Sequence, residues 1–234
     1  MNPEPFWWRK VAAEFLGTFA FIFIGTSSVI VSRLSGTSGG ILEIALAHGI
    51  ALAVVISALG NISGGYFNPA ISIIAALTRQ ITRKIAVAYI LVQIVAGILA
   101  TLIAVSVFPE SAVTASSAGG TFLASTTSVY TGFFLELIFS TFLAFAIFAT
   151  LINYRASPGL GGFPAGLVLF LAILIIGPLT GASLNPARSI GSALLTMNFD
   201  HHWIYWAGPI LGAIIGGLLF RRVIAPKHWI DNKV

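Results

Sequence analysis

Two short stretches of this chain carry residues whose types and spacing suit a polar path through an apolar surround. The first is Gly64-Gly65-Tyr66-Phe67-Asn68-Pro69-Ala70-Ile71-Ser72, and the second is Gly181-Ala182-Ser183-Leu184-Asn185-Pro186-Ala187-Arg188-Ser189. Asn is a strong helix N-cap, and Pro is favoured at the first helical position. Asn68-Pro69-Ala70 and Asn185-Pro186-Ala187 therefore each predict a helix start. The Gly-containing segment before each box is expected to be extended, with bare backbone carbonyls. In hydrocarbon such backbone persists only where protein covers it or where it lines a water-filled cavity. Two half-helices with positive N-terminal ends inside a bundle point to a pore for a polar solute.

Each side chain offers a definite chemistry. Asn68 and Asn185 can cap through their side-chain oxygens and aim amide N–H groups into the pore. A water held between two such donors points its hydrogens outward both ways, which interrupts a proton wire. The half-helix dipoles add a positive potential that opposes protons and cations. Arg188 is a fixed cation three residues after Asn185. At membrane depth an Arg usually faces the interior or a cavity; the alternative is an Arg snorkelling to the outer surface. Glu14 and Glu136 are the acidic residues deep in apolar runs. They suit proton coupling or, as the reading preferred here, acceptance of hydrogen bonds from the irregular backbone before the boxes. His201 and His202, beside Asp200, fit a solvated loop better than a metal site.

Long apolar elements must position these groups. Of the 234 residues, 57% are hydrophobic and 8% charged, against roughly a quarter charged in soluble domains. That composition marks an all-α integral membrane protein. Spans of about 20 residues are predicted at 11–32, 41–60, 84–107, 130–152, 162–180 and 203–224. The apolar segments at 68–78 and 185–196 are too short to cross and predict re-entrant half-helices. The first span is longer than a signal-peptide core and predicts no cleaved leader. Cysteine is absent, which excludes disulfides, thiol catalysis and Cys-ligated metals.

The net charge of +5 resembles a nucleic-acid signal, but the basic residues fall in loops, so no nucleic-acid partner is expected. With a cytoplasmic N-terminus, Arg9, Lys10, Arg79, Arg83, Lys84, Arg155, Arg221, Arg222, Lys227 and Lys233 all lie inside, ten of the twelve Lys and Arg. The positive-inside rule then places both termini in the cytoplasm.

The chain reads as two repeats, about 1–110 and 128–234, within a single membrane domain. Ala13-Glu14-Phe15-Leu16-Gly17-Thr18-Phe19 resembles Leu135-Glu136-Leu137-Ile138-Phe139-Ser140-Thr141-Phe142, with the glutamates aligned. Three spans per half invert the second repeat, so the two box helices should meet near the midplane. The Ser/Thr/Gly-rich stretch 108–129 is expected to be the outer loop joining them. Gly208, Gly212 and Gly216 predict a face of close helix packing, preferably within the chain.

Six spans, inverted repeats, two Asn-Pro-Ala boxes, Glu14 and Glu136 in matching spans and Arg188 after the second box resemble the aquaporin family, the major intrinsic proteins. Asn61-Ile62-Ser63-Gly64 and Asn198-Phe199 through Trp203 to Tyr205-Trp206 agree with it. The resemblance implies a homotetramer with one pore per subunit, in the cell membrane, passing water and small neutral solutes such as ammonia, urea or glycerol. It also implies a second constriction made by His48, Ile173, Ala182 and Arg188. Strict water channels have Phe and His at the first two of these positions. Glycerol facilitators have Trp, Gly and Phe at the first three. The set here is similar to plant tonoplast intrinsic proteins, and Ile at the second position is similar to archaeal members. Ser189, Ala193, Tyr205 and Trp206 follow the water-channel pattern.

The competing reading is a secondary transporter, which also uses inverted repeats and broken helices. It would want a titratable cluster at the midplane, where the boxes place neutral amides. No enzyme motif, metal set or cofactor-binding motif stands out, so no enzyme, metal or cofactor is expected.

Overall fold

The computed structural model describes residues 6–34, 40–153, 156 and 161–225. In chain order its helices are α1 (Trp7–Val31), α2 (Ile41–Ser63), α3 (Pro69–Leu77), α4 (Arg83–Val107), α5 (Glu110–Ala115), α6 (Val129–Ile147), α7 (Phe163–Thr180), α8 (Pro186–Thr196) and α9 (Ile204–Leu219). Single π turns, Phe148–Ile152 and Phe220–Ile224, extend α6 and α9. Among the described residues, six helices are long and apolar enough to cross a membrane: α1, α2, α4, α7 and the extended α6 and α9. There is no strand among them. The chain is thus an all-α, multi-pass membrane protein with three short helices, α3, α5 and α8, between its spans.

Three boundaries differ from the sequence expectation, each for a local reason. Helix α1 begins at Trp7 rather than near residue 11. Its first turn carries interfacial aromatics, and the Arg9 guanidinium lies 4.5 Å from the Phe6 ring centroid and 5.4 Å from that of Trp8. Helix α2 continues through Ser63 until Gly64 ends it in a left-handed conformation with φ 105°, the usual glycine stop. The loop at 108–129 holds α5 and then dips inward, burying Thr121. Arg155, Lys227 and Lys233 of the expected inner-side charge set lie outside the described residues.

The two halves repeat one packing scheme. Helix α1 packs on α2 and α4, as α6 packs on α7 and α9, and α2 crosses α7 between the halves. That crossing is close because Gly49 and Gly166 face each other: a Cβ on either would strike the other's carbonyl oxygen. The half-helices lock the halves together, since α3 packs against α4 and α9 while α8 packs against α4. Gly97 of α4 lies against the Ala187 carbonyl, where any side chain would collide. Gly208, Gly212 and Gly216 of α9 sit on the backbone of α6 at Phe133, Leu137 and Thr141. The four-residue glycine spacing therefore serves packing within the chain, without lipid or a second subunit between.

Large apolar side chains cover the outward faces. Leu16, Ile50, Val54, Leu91 and Ile175 are all more than half exposed. In water that surface would be unstable; in a bilayer the lipid tails cover it.

Candidate pore and its supporting loops

The Asn-Pro-Ala boxes fold as helix starts. Asn68 accepts a hydrogen bond from Ala70 N at 2.9 Å, and Asn185 accepts one from Ala187 N at 2.9 Å. Pro69 and Pro186 occupy the first helical position of α3 and α8. The segments before them are not extended as expected. Gly64, Gly65 and Phe67 have φ of 105°, 68° and 47°, and Gly181, Ala182 and Leu184 have 80°, 48° and 54°. Left-handed residues at the same places in both loops coil the backbone tightly. Phe67, Ala182 and Leu184 lack the freedom of glycine, so the surroundings must hold them there.

The holding groups are Glu14 and Glu136. Glu14 Oε1 accepts from Ser63 Oγ at 2.6 Å and Tyr66 N at 3.0 Å, and its Oε2 accepts from Phe67 N at 2.7 Å and Gln93 Nε2 at 2.8 Å. Glu136 Oε1 accepts from Thr180 Oγ1 at 2.8 Å and Ser183 N at 2.9 Å, and its Oε2 accepts from Leu184 N at 2.8 Å. Both glutamates are fully buried. A buried carboxyl group is tolerable only when its lone pairs are used, and here two consecutive loop N–H groups use them in each half. Hydrogen bonds to charged groups contribute roughly 1.5–3 kcal/mol each.

Two further braces repeat. Tyr89 of α4 donates to Ser63 O at 2.9 Å, and Tyr205 of α9 donates to Thr180 O at 2.8 Å. From the sequence, Tyr205 and Ser63 stand out only as parts of the family pattern, and Tyr89, Gln93 and Thr180 do not stand out. The signal was present: Tyr89 lies 26 residues after Ser63 and Tyr205 lies 25 after Thr180.

The two loops meet tip to tip. Asn68 Nδ2 donates to Leu184 O at 2.8 Å, and Asn185 Nδ2 donates to Phe67 O at 2.9 Å. Each amide thus spends one N–H on the opposite loop and keeps one. That corrects the expectation that both N–H groups face the pore. Between the boxes lies a cavity of ≈ 10 Å³ bordered by Asn68, Asn185, Phe21, Leu52, Leu143 and Leu169. A single water requires about 10–15 Å³ on this measure. Its wall is mostly apolar, and the polar residues that border it are the two asparagines, Tyr66 and Ser183.

Of the four residues expected at a second constriction, the structure joins two directly. Arg188 Nη2 lies 3.4 Å from His48 Nε2, and His48 Nδ1 lies 2.8 Å from Ile44 O. A carbonyl only accepts, so Nδ1 carries the proton, and Nε2 presents its lone pair to the guanidinium. The ring is therefore neutral. Gly25 of α1 makes room for it: a Cβ there would overlap the imidazole. The Phe21 ring meets the imidazole edge-on, with centroids 6.3 Å apart. Ile173 of α7 is 2% exposed, and Ala182 is fully buried with its N–H on Thr180 Oγ1 at 3.0 Å. Arg188 is buried rather than snorkelling, and its Nε and Nη1 have no protein partner. A buried donor without a protein partner needs an acceptor.

The inserted outer loop supports this region. Thr121 Oγ1 donates to Ser189 Oγ at 2.9 Å, and Ser189 shares a short hydrogen bond with Ser183 Oγ. His202 is half-buried, with its ring centroid 5.6 Å from that of Phe199 and 5.9 Å from that of Tyr205. Burial pushes its imidazole below its usual range. Asp200, His201 and His202 belong to no group of metal-binding residues among those described.

Comparison with known proteins agrees with this architecture. Residues 3–220 match the family described as Major intrinsic protein. The chain belongs to the major intrinsic protein family. Curated relatives include aquaporin-8 of Mus musculus, 35% identical over 95% of this chain and 86% of the relative. The lens fiber major intrinsic protein of Gallus gallus is 34% identical, over 94% and 83%. The probable aquaporin TIP3-2 of Arabidopsis thaliana is 35% identical, over 94% and 85%. Among solved structures, the X-ray structure of the aquaglyceroporin from Plasmodium falciparum superposes with a TM-score of 0.83. It is 23% identical, covering 94% of this chain and 98% of its own. This major intrinsic protein therefore shares the aquaporin fold, and the family is one of channels.

Proposed function

We propose that this major intrinsic protein is a passive channel for water that also passes small neutral solutes and excludes ions and protons. The observation that carries the reading is the pair of asparagine amides at a cavity the size of one water. One water at a time, oriented by two opposed amides and two helix N-termini, conducts without carrying protons. The glutamates, which a coupled transporter would need free, are taken up by the loop backbone. Among the described residues no other acidic group lies at the midplane to bind a driving ion, so flux follows the gradient of the solute itself.

His48, Ile173, Ala182 and Arg188 form the selectivity filter in this reading. Ala182 is small, and Ile173 is apolar. The polar side consists of the His48 ring and the two unpartnered donors of Arg188. Such an opening suits solutes with one polar and one apolar side, such as ammonia or urea, with glycerol slower. The positive-inside bias supports cytoplasmic termini, and the family resemblance supports a homotetramer in the cell membrane. The repeats run from about 1 to 110 and from 128 to 234, matching the doubled network of Glu14 and Glu136.

The test is solute flux in proteoliposomes. Ammonia and urea rates above those of protein-free liposomes are expected. Ile173→His combined with His48→Phe should remove them while water flow persists. Wild-type ammonia, urea and glycerol rates equal to those of empty liposomes would make the protein a strict water channel.

A further inference from the structure

Conduction leaves one feature of the surface without a role. On the face that carries the start of α1 and the end of α9, a groove of ≈ 780 Å³ runs between α3 and α4. Its wall includes Ile73, Leu77, Val87 and Ile90, and its mouth includes Arg79 and Arg83. Leu77 is 60% exposed and Val87 58%. A second hollow of ≈ 370 Å³, with Arg222 at its edge, adjoins Arg79 from the other side.

The charges here are not placed as a helix would place them. Helix α4 starts at Arg83-Lys84, with Thr82 as its cap. A helix N-terminus is a positive end where cations are unfavourable and anions are stabilised. Thr82 Oγ1 accepts from Ile85 N, and the Thr82 carbonyl accepts from Ala86 N. Arg79 holds a left-handed φ of 61° in the turn before α4. Arg79, Arg83 and Lys84 are all exposed. No acidic residue among those described shares this face. Glu14 and Glu136 are fully buried in the loop network, Glu43 sits in the first turn of α2, Glu110 follows α4, and Asp200 precedes α9. A topological charge bias needs positive residues on one side, but it does not need them converged on a helix N-terminus at the end of an apolar groove.

We propose that the groove between α3 and α4 is a binding site for an anionic phospholipid, with the headgroup phosphate held by Arg79, Arg83 and the N-terminus of α4. The acyl chains lie along Ile73, Leu77, Val87 and Ile90. Charge complementarity at the mouth and the apolar wall of the groove select this occupant. The phosphate offsets the cations at the helix start, and the tails cover side chains already turned to lipid. Basic pockets between spans bind anionic headgroups in this way. Arg221 is committed elsewhere, donating to the Thr78 carbonyl at the end of α3. That contact lies in the adjoining hollow and joins the end of α9 to the end of α3.

Native mass spectrometry of the full chain in detergent tests this with phosphatidylglycerol and phosphatidylcholine of identical acyl chains. Phosphatidylglycerol should be retained at roughly ten-fold lower lipid concentration. Arg79→Gln/Arg83→Gln should bring it to the phosphatidylcholine level. Arg9→Gln/Lys10→Gln, on the same face away from the groove, should leave the preference intact. If the double variant does not accumulate, Arg83→Gln should lower the preference severalfold and Arg83→Lys should restore it. Equal retention of the two lipids by the wild type overturns the proposal. So does a preference that survives the groove variants, or one that the Arg9/Lys10 variant removes as fully. Displacement of the lipid by millimolar inorganic phosphate would overturn the assignment to a phospholipid.

Discussion

Each buried glutamate receives backbone N–H groups on both of its oxygens. Tyr66 N and Phe67 N divide between the two oxygens of Glu14, and Ser183 N and Leu184 N between those of Glu136. An amide cannot replace such a carboxylate. Whichever way a glutamine is turned, its NH₂ faces one of the loop N–H groups. Glu14→Gln and Glu136→Gln should each destabilise the protein by about 1–3 kcal/mol, the cost of a buried donor left unpaired. A thermal melt of the purified variants in detergent measures it. A proton-coupling role would give the opposite pattern, with stability kept and a pH-driven flux lost. Arg188 makes a second prediction at this scale. Its buried Nε and Nη1 donors face no protein acceptor. Arg188→Val should raise proton or cation leak in proteoliposomes while water flow persists. An unchanged leak with slower water flow would remove Arg188 from the constriction.

Among the elements, the pairing of α6 with α9 depends on bare backbone. A Cβ at Gly212 would fall on the Leu137 carbonyl and close to the Ser140 side chain. Gly212→Val should force the two helices apart and cost on the order of 1–3 kcal/mol as an overpacked core substitution. A lower melting temperature with a smaller folded fraction on size exclusion is the expected result. A variant as stable as wild type would mean that the helices do not pack this way. The same scale shows what was legible from the residues. The span positions followed from apolar length, because little competes with it in a chain this apolar. The half-helix starts followed from Asn-Pro, since cap and Pro act within one turn. The loop conformation was not legible. Phe67, Ala182 and Leu184 take left-handed φ because Glu14, Glu136, Tyr89 and Tyr205 hold the loops from distant helices. Local propensity opposes that backbone, and the Gly in each loop only hints at it. The inward path of Thr121 to Ser189 was hidden for a similar reason, since a polar loop gives no periodicity to read.

For the whole molecule, the halves form one unit because each lends groups to the other. The asparagine of each box donates to the opposite loop, and α4 and α9 pack on the half-helices of the opposite repeat. The cavity between the boxes exists only where both loops meet, so neither half makes a pore alone. A water-sized constriction with amides in its wall, and both midplane glutamates taken up by the loop backbone, suit a passive channel. Stopped-flow light scattering of proteoliposomes under an osmotic gradient of impermeant sucrose measures it most directly. The account predicts shrinkage much faster than in protein-free liposomes, linear in the gradient and unchanged by an imposed pH difference. Shrinkage at the protein-free rate, or a flux that saturates and follows the proton gradient, would contradict it.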